Sequence, residues 1–328
     1  MKLIRPKGPG LRKGPGLRKG LGLRKGPGLR RLIRRQNGQK TREQRKLALV
    51  SGAFIAPSVL GTMLFFVLPF FVVIYYACVD NPISANFVWL DNFSAVLRNS
   101  AFRLAAKNTA LMSAVAVPLA VLLSLLLAVL LDSRIPLASQ FRTAFLSPMM
   151  VPVASIVLIW QVIFHYNGAL NELLSVFGVQ PIDWLKSAYN RYVIVALFLW
   201  KNLGYNMILF LAALANVPAE LLEVATIEGC GAWRRFIHIK LRYLSSTILF
   251  VAILSLINSF KVFREVYLLT GDYPFDGLYL LQHFMNNMFR SLDFQKLSAA
   301  AILMSLVMIV IIGILFAVEG FYGKDVEG

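Results

Sequence analysis

No charged residue occurs between Leu47 and Val79, a run of 33. Further charge-free runs cover Asn108–Leu131 (24 residues), Thr143–Asn171 (29), Tyr243–Phe260 (18) and Leu297–Val318 (22). A sixth apolar stretch, Tyr192–Leu214, is interrupted only by Lys201. About 20 apolar residues in a helix cross the hydrocarbon of a bilayer. The pattern therefore predicts six transmembrane helices, roughly 48–78, 108–131, 143–165, 192–214, 244–268 and 297–318. Composition agrees. With Gly counted and Tyr left out, apolar residues reach about 61%, against about 45–50% in soluble domains, and charged residues are 15% where about 25% is usual. A soluble globule of 328 residues could not hide that much apolar surface. A cytosolic enzyme and a disordered chain are both excluded, and two cysteines exclude a disulfide scaffold.

The charge is concentrated at one end. Residues 1–46 hold 17 of the 34 Lys and Arg and one acid, Glu43, so they carry +16 of the net +18. KGPGLR stands at 7–12, 13–18 and 25–30, and KGLGLR at 19–24. A period of six is too short for a solenoid. Gly in each unit and Pro in three of the four oppose a helix, and 1–38 reads as disordered. One reading makes 1–46 a basic low-complexity cytoplasmic tail that touches anionic lipid head groups. Another gives it nucleic acid as a partner, but it has no aromatic residue on which a base could stack. No nucleic-acid partner is expected. Nor is a signal peptide, since no short apolar stretch with a small-residue cleavage site follows the basic start.

The tail fixes the N-terminus inside by the positive-inside rule, and six spans return the C-terminus to the same side. Inner segments are then 132–142, 215–243 and 319–328. Apart from the tail, inner and outer segments hold seven Lys or Arg each, so the loops alone do not decide orientation. Cys78 and Cys230 face opposite compartments and cannot pair. The expected organisation is a tail at 1–46, a six-helix permease domain at 47–318 and a cytoplasmic C-terminus at 319–328.

The segment between spans four and five is neither a span nor an ordinary loop. Pro218 suits the first turn of a helix, and Glu220 and Glu223 favour its positive end. Leu221, Leu222, Ala225 and Ile227 give it an apolar side. Gly229 and Gly231 bracket Cys230 and allow a sharp break. Trp233, Phe236, Ile237 and Ile239 then alternate with Arg234, Arg235, Lys240 and Arg242. This predicts a helix–turn–helix too polar to span and too apolar for water, lying on lipid or against a partner.

The stretch Glu223-Val-Ala-Thr-Ile-Glu-Gly229 resembles the EAA loop of binding-protein-dependent ABC importer permeases. That loop reads roughly E-A-A-x-x-D-G-A, with I-x-L-P about ten residues later. Here Val224 stands for the first Ala, Glu228 for the Asp, Ile239-Lys240-Leu241 for I-x-L, and Arg242 departs from the Pro. LDNFSAVLRN at 90–99, the stretches 108–131 and 141–160, and VYLLTGDYP at 266–274 resemble further family segments, with Asp272 and Tyr273 departing. The resemblance covers nearly all of 50–318. It is to the carbohydrate-uptake, MalF/UgpA-like branch, in which other sugar and oligosaccharide permeases of this size occur, an alginate-oligosaccharide importer subunit among them.

The resemblance implies an all-α membrane protein with the ABC importer permease fold: six transmembrane helices and a cytoplasmic coupling helix in the bacterial inner membrane. It implies a hetero-oligomer with a second, different permease subunit, two ATPase subunits and a solute-binding protein outside. ATP and Mg would sit on the ATPases, with no cofactor in this chain and no catalysis by it. Glu220, Glu223, Ala225, Glu228 and Gly229 would couple the permease to the ATPase, with Glu223 pairing a basic residue there. The cargo would be a sugar or oligosaccharide.

The path is read from the residues. Lys201 lies well inside span four, and an intramembrane charge is a functional candidate by default. With Asn202, Tyr205 and Asn206, and with Asn258 in span five, it supplies the hydrogen-bonding and aromatic groups a sugar needs. Helix–helix hydrogen bonding or snorkelling of Lys201 reads the same residues equally well. If Lys201 faces the path, it suits a carboxylated, alginate-like sugar. His165, His238 and His283 are isolated and read as ordinary polar side chains. No G-x-x-x-x-G-K-[ST], H-E-x-x-H or G-x-S-x-G occurs. The rival readings are an ion-gradient-driven secondary transporter, which usually carries more spans and repeat symmetry, and a channel subunit, for which no filter or charged ring is visible.

Overall fold

The computed structural model describes residues 46–132 and 136–322. The tail repeats and the last six residues, with the expectations placed on them, lie outside the described residues. The chain divides into two compact units at Pro69–Phe70. In the first, the described residues from Lys46 onward are helical. The helix widens into a π turn at Met63–Val67, where the Leu68 N–H reaches back to the Met63 carbonyl. Pro69 follows directly. It has no N–H, and its ring crowds the carbonyl four residues earlier, so a wider turn just before it relieves both.

Helices dominate the second unit, and among the described residues the one β-bridge is Val79 to Phe87. We label its helices α1 (Asp91–Arg98), α2 (Ser100–Asp132), α3 (Ala138–Met150), α4 (Val153–Phe164), α5 (Ala169–Ser175), α6 (Asn190–Leu214), α7 (Ala219–Ile227), α8 (residues 232–243), α9 (Ser245–Lys261), α10 (Phe263–Thr270), α11 (Leu281–Arg290) and α12 (Phe294–Tyr322). Six described segments are long and apolar enough to cross a membrane: Lys46–Ala77, Ser100–Asp132, Val153–Ser175, Asn190–Leu214, Ser245–Thr270 and Phe294–Gly320.

Three of these differ from the sequence expectation. Span three was expected at 143–165, but its first eight residues belong to α3, a separate helix. The chain breaks at Val151 and Pro152, which are extended, because Pro152 cannot continue the helix and instead caps the next one. The third crossing segment therefore starts at Val153 and is itself interrupted at 165–168. Span two begins at Ser100, eight residues early, with Arg103 and Lys107 on its first turns. Span five, expected as one helix over 244–268, is broken at Val262 into α9 and α10.

The pairing of α2 with α6 organises the bundle. Along α2 most buried positions are small, with Ala105, Thr109, Ser113, Ala116, Ala120, Ser124 and Ala128 three or four residues apart among larger Phe102, Leu125 and Leu131. Small side chains let helices approach closely, which in lipid is what packing has to offer. Against them α6 sets Ile194, Phe198, Met207 and Phe210, all nearly or fully buried. A Cβ at Gly204 of α6 would lie 1.9 Å from the Phe145 carbonyl oxygen of α3, so only glycine permits that crossing. Hydroxyls add local links, such as Ser113 to Ser259 at 2.8 Å between α2 and α9.

His283, expected as an ordinary polar residue, is fully buried at the start of α11, where Nδ1 accepts the Leu280 N–H at 3.1 Å. It packs edge-on to Phe263 with centroids 4.6 Å apart. Burial drives its pKa down to about 4, against a smaller opposite pull from Asp272. The Asp272 carboxyl is itself held low, mainly by its hydrogen bond from Arg290. Between pH 6.5 and 4 the unfolded chain binds the His283 proton and the folded chain does not, so stability falls as pH falls through that window. The full difference is about 3 kcal/mol. Thermal melts from pH 8 to pH 4 should show it, and His283→Gln should flatten the slope.

Candidate functional site

Two features stand out, and the same two helices carry both. The first is the hairpin of α7 and α8, the direct connection from α6 to α9. Pro218 precedes α7, whose first turn holds Glu220. At its end Gly229 adopts φ +78°, the Gly229 N–H bonds the Thr226 carbonyl at 3.0 Å, and the Cys230 N–H bonds the Ala225 carbonyl at 2.8 Å. These are the paired bonds of a Schellman stop, which needs a left-handed residue at that position. No atom lies within 4 Å of a Cβ built there, so the demand for glycine is conformational alone. Gly229→Ala should destabilise the turn by about 1–2 kcal/mol, measurable as a lower melting temperature with the chain still inserted.

The two faces of α7 differ. Leu222, Phe236 and Ile239 pack with Leu131, Leu214, Val217 and Leu244 beneath the bundle. Lys240 bonds Asp132 at 2.8 Å and Arg142 donates to the Leu131 carbonyl at 3.1 Å, tying α8 and α3 to the end of α2. Arg235 bonds Thr226 across the hairpin. The opposite face is uncovered: Leu221, Val224, Ile227 (86% exposed) and Trp233 (72%) stand beside exposed Glu220, Glu223 and Glu228. Ala225 is buried at 7% exposure, so it faces inward and is a packing residue, contrary to the expectation that it belongs to the coupling surface.

The second feature is a cavity of about 950 Å³. Its lining includes Lys201, Asn202 and Tyr205 from α6, Asn258 and Lys261 from α9, and Arg264 and Glu265 from α10. The break at Val262 lies on its wall, as the discontinuous helices of transport sites do. Lys201 is 13 residues from Leu214, and Asn258 is 13 from Ser245, so each lies roughly 20 Å along its helix from the hairpin end.

Three polar rungs cross between α6 and span five. Asn206 Nδ2 donates to Ser255 Oγ at 2.9 Å, Asn258 Nδ2 donates to Asn202 Oδ1 at 2.9 Å, and Lys201 Nζ pairs with Glu265 Oε1. Lys201, Asn202 and Asn258 thus both bridge the helices and line the cavity, and Tyr205 lines it too. Asn206 does not: it is buried in the helix contact. The expectation that Lys201 offers a free charge to a carboxylated sugar is also corrected, because Glu265 already takes that charge. Glu265 was missed. It lies beyond the charge-free run that marked span five and 64 residues from its partner, so nothing local betrayed the pairing. Among the described residues no group of three His, Cys, Asp or Glu could hold a metal ion.

Residues 120–324 match the family model described as the binding-protein-dependent transport system inner membrane component. The chain belongs to that family. It is a permease of an ABC transport system and a multi-pass membrane protein, and its kind is a transport subunit rather than an enzyme. It is similar to the arabinooligosaccharides transport system permease protein AraP of Halalkalibacterium halodurans, 30% identical over 213 residues, covering 61% of this chain and 67% of that protein. Its fold is that of a bacterial ABC transporter involved in the import of the acidic polysaccharide alginate, with TM-score 0.76, 18% identity, and coverage of 85% of this chain and 98% of that one. A bacterial alginate ABC transporter in complex with alginate pentasaccharide-bound periplasmic protein gives TM-score 0.73 at 18% identity, covering 83% of this chain and 94% of that one.

Proposed function

We propose that this chain is a permease subunit of an ATP-driven importer of a sugar or oligosaccharide, coupled to its ATPases through the α7–α8 hairpin. One observation carries the reading. The hairpin is the covalent link between α6 and α9, and both helices wall the polar cavity. A force on the hairpin therefore acts on the helices that carry Lys201, Asn202, Tyr205 and Asn258, without a relay through other elements.

The exposed face of α7 suits a protein groove. Apolar Leu221, Val224 and Ile227 supply area, and Glu220, Glu223 and Glu228 supply charge for basic residues of an ATPase. ATP and Mg belong to those ATPases. Nucleotide then biases a two-state equilibrium of outward and inward access. The sugar class is supported by relatives such as the arabinooligosaccharide permease and by the amides, phenols and ion pair set among apolar residues on the cavity wall, groups that hydrogen-bond hydroxyls. The remaining partners in this reading are a second permease and a solute-binding protein, with both termini cytoplasmic.

The test is ATP-dependent uptake in proteoliposomes holding the complete complex. Uptake that needs ATP and the solute-binding protein supports the reading. Uptake that persists without ATP, driven by an ion gradient, overturns it.

A further inference from the structure

The ion pair on the cavity wall leaves an acceptor that the bundle itself does not use. Glu265 is only 2% exposed, yet it lines the cavity. Its Oε1 takes Lys201, while its Oε2 is buried and accepts no hydrogen bond. An ionised carboxylate can accept about four hydrogen bonds, and an unused buried acceptor carries a desolvation penalty. A pair kept only to brace two helices does not call for this, since apolar side chains of similar volume brace as well or better.

We propose that Glu265 is a substrate-binding residue, with Lys201 as its positioning residue: Oε2 accepts a saccharide hydroxyl while Oε1 stays on the ammonium. This deepens the sugar-importer reading and rests on it. The surrounding groups fit. Asn258 Oδ1 and the Tyr205 hydroxyl share the lining, whereas the Asn202 amide N–H is committed to the Phe198 carbonyl at 2.8 Å. Lys201 balances the carboxylate, and the other charges on the wall, Lys261 and Arg264, are exposed and bond neither member of the pair. Turning Oε2 toward the cavity about the broad last torsion of Glu moves Oε1 with it, and the flexible Lys201 side chain follows to keep the pair. The pair thus reads hydroxyl groups rather than acid groups.

The test uses the complete importer in proteoliposomes, with arabinotriose, maltotriose, lactose and their monodeoxy derivatives as probes. Solute-binding protein and ATPases stay constant, so differences report the permease. In the wild type, removing one particular hydroxyl should slow uptake on the order of 10- to 100-fold, the loss expected for a hydrogen bond to a charged group. In Glu265→Gln the penalty at that hydroxyl should shrink to within about threefold, while penalties at other positions persist. The exchanged pair, Lys201→Glu with Glu265→Lys, keeps the bridge but moves the acceptor. It should melt like the wild type and transport at least about tenfold more slowly. Wild-type uptake by the exchanged pair, or an unchanged deoxy profile in Glu265→Gln, overturns the binding role and leaves the importer reading standing. If the exchanged pair does not fold, the Glu265→Gln profile decides alone. If the wild type takes up none of the probes with ATP, the sugar reading falls and this inference falls with it.

Discussion

Glu223→Lys should abolish most uptake while leaving the protein inserted and folded. Glu223 is exposed on the free face of α7 and its carboxylate makes no hydrogen bond among the described residues, so losing that side chain removes nothing from the fold. A surface substitution of that kind usually shifts stability by about 0.5 kcal/mol or less. Seated in an ATPase groove, the reversed charge would face a cation out of water. Breaking such a pair costs about 2–5 kcal/mol, and like-charge juxtaposition adds to that. Uptake and substrate-stimulated ATP hydrolysis should both fall at least about 30-fold, with an unchanged melting temperature. Normal uptake would remove Glu223 from the coupling surface. A lowered melting temperature would mean that it serves the fold.

Gly204→Val should do the reverse and destroy the bundle before function can be asked about. The added Cβ would meet the Phe145 carbonyl oxygen at 1.9 Å, its carbon at 2.4 Å and the Leu146 nitrogen at 2.9 Å. All three are backbone atoms, which cannot rotate aside. To admit the side chain, α3 must separate from α6, and Phe145 then leaves the cluster of Met207, Phe210 and Leu214. Overpacking of this kind costs about 1–3 kcal/mol, and more where backbone must move. Membrane yield and melting temperature should both drop sharply. Gly229→Ala provides the contrast, because open space there limits the loss to backbone strain. Equal melting temperatures for the two variants would refute the close crossing.

The crossing segments were legible because charge-free runs are set by the bilayer alone and need no knowledge of neighbours. The hairpin was legible for a related reason. Pro218, the acidic first turn and Gly229 each act within a few residues, and the Schellman stop forms where the glycines stand. What could not be read depends on partners distant in sequence. The apolar run at 143–152 is continuous with span three, yet Pro148 and Pro152 make it a separate helix against α6. Ala225 lies in the stretch that resembles the EAA loop, but only the packing of α7 under the bundle decides which face it takes. Lys201 was visible as an intramembrane charge, while its neutraliser on α10 was not, since helix geometry rather than spacing brings them together. Gly204 carries no local signal, because the demand for glycine there comes from the close crossing of α3.

The central claim is that a nucleotide-binding partner seats on the uncovered face of α7. The most direct measurement places a photo-crosslinking residue at 227, with Cys78 and Cys230 replaced by serine, in the complex assembled in membranes. A second probe at Leu222 of the inward face serves as the control. The account predicts a covalent product between position 227 and an ATPase subunit, and none from position 222. A product with lipid alone at 227, in a preparation that hydrolyses ATP and imports substrate, would contradict it.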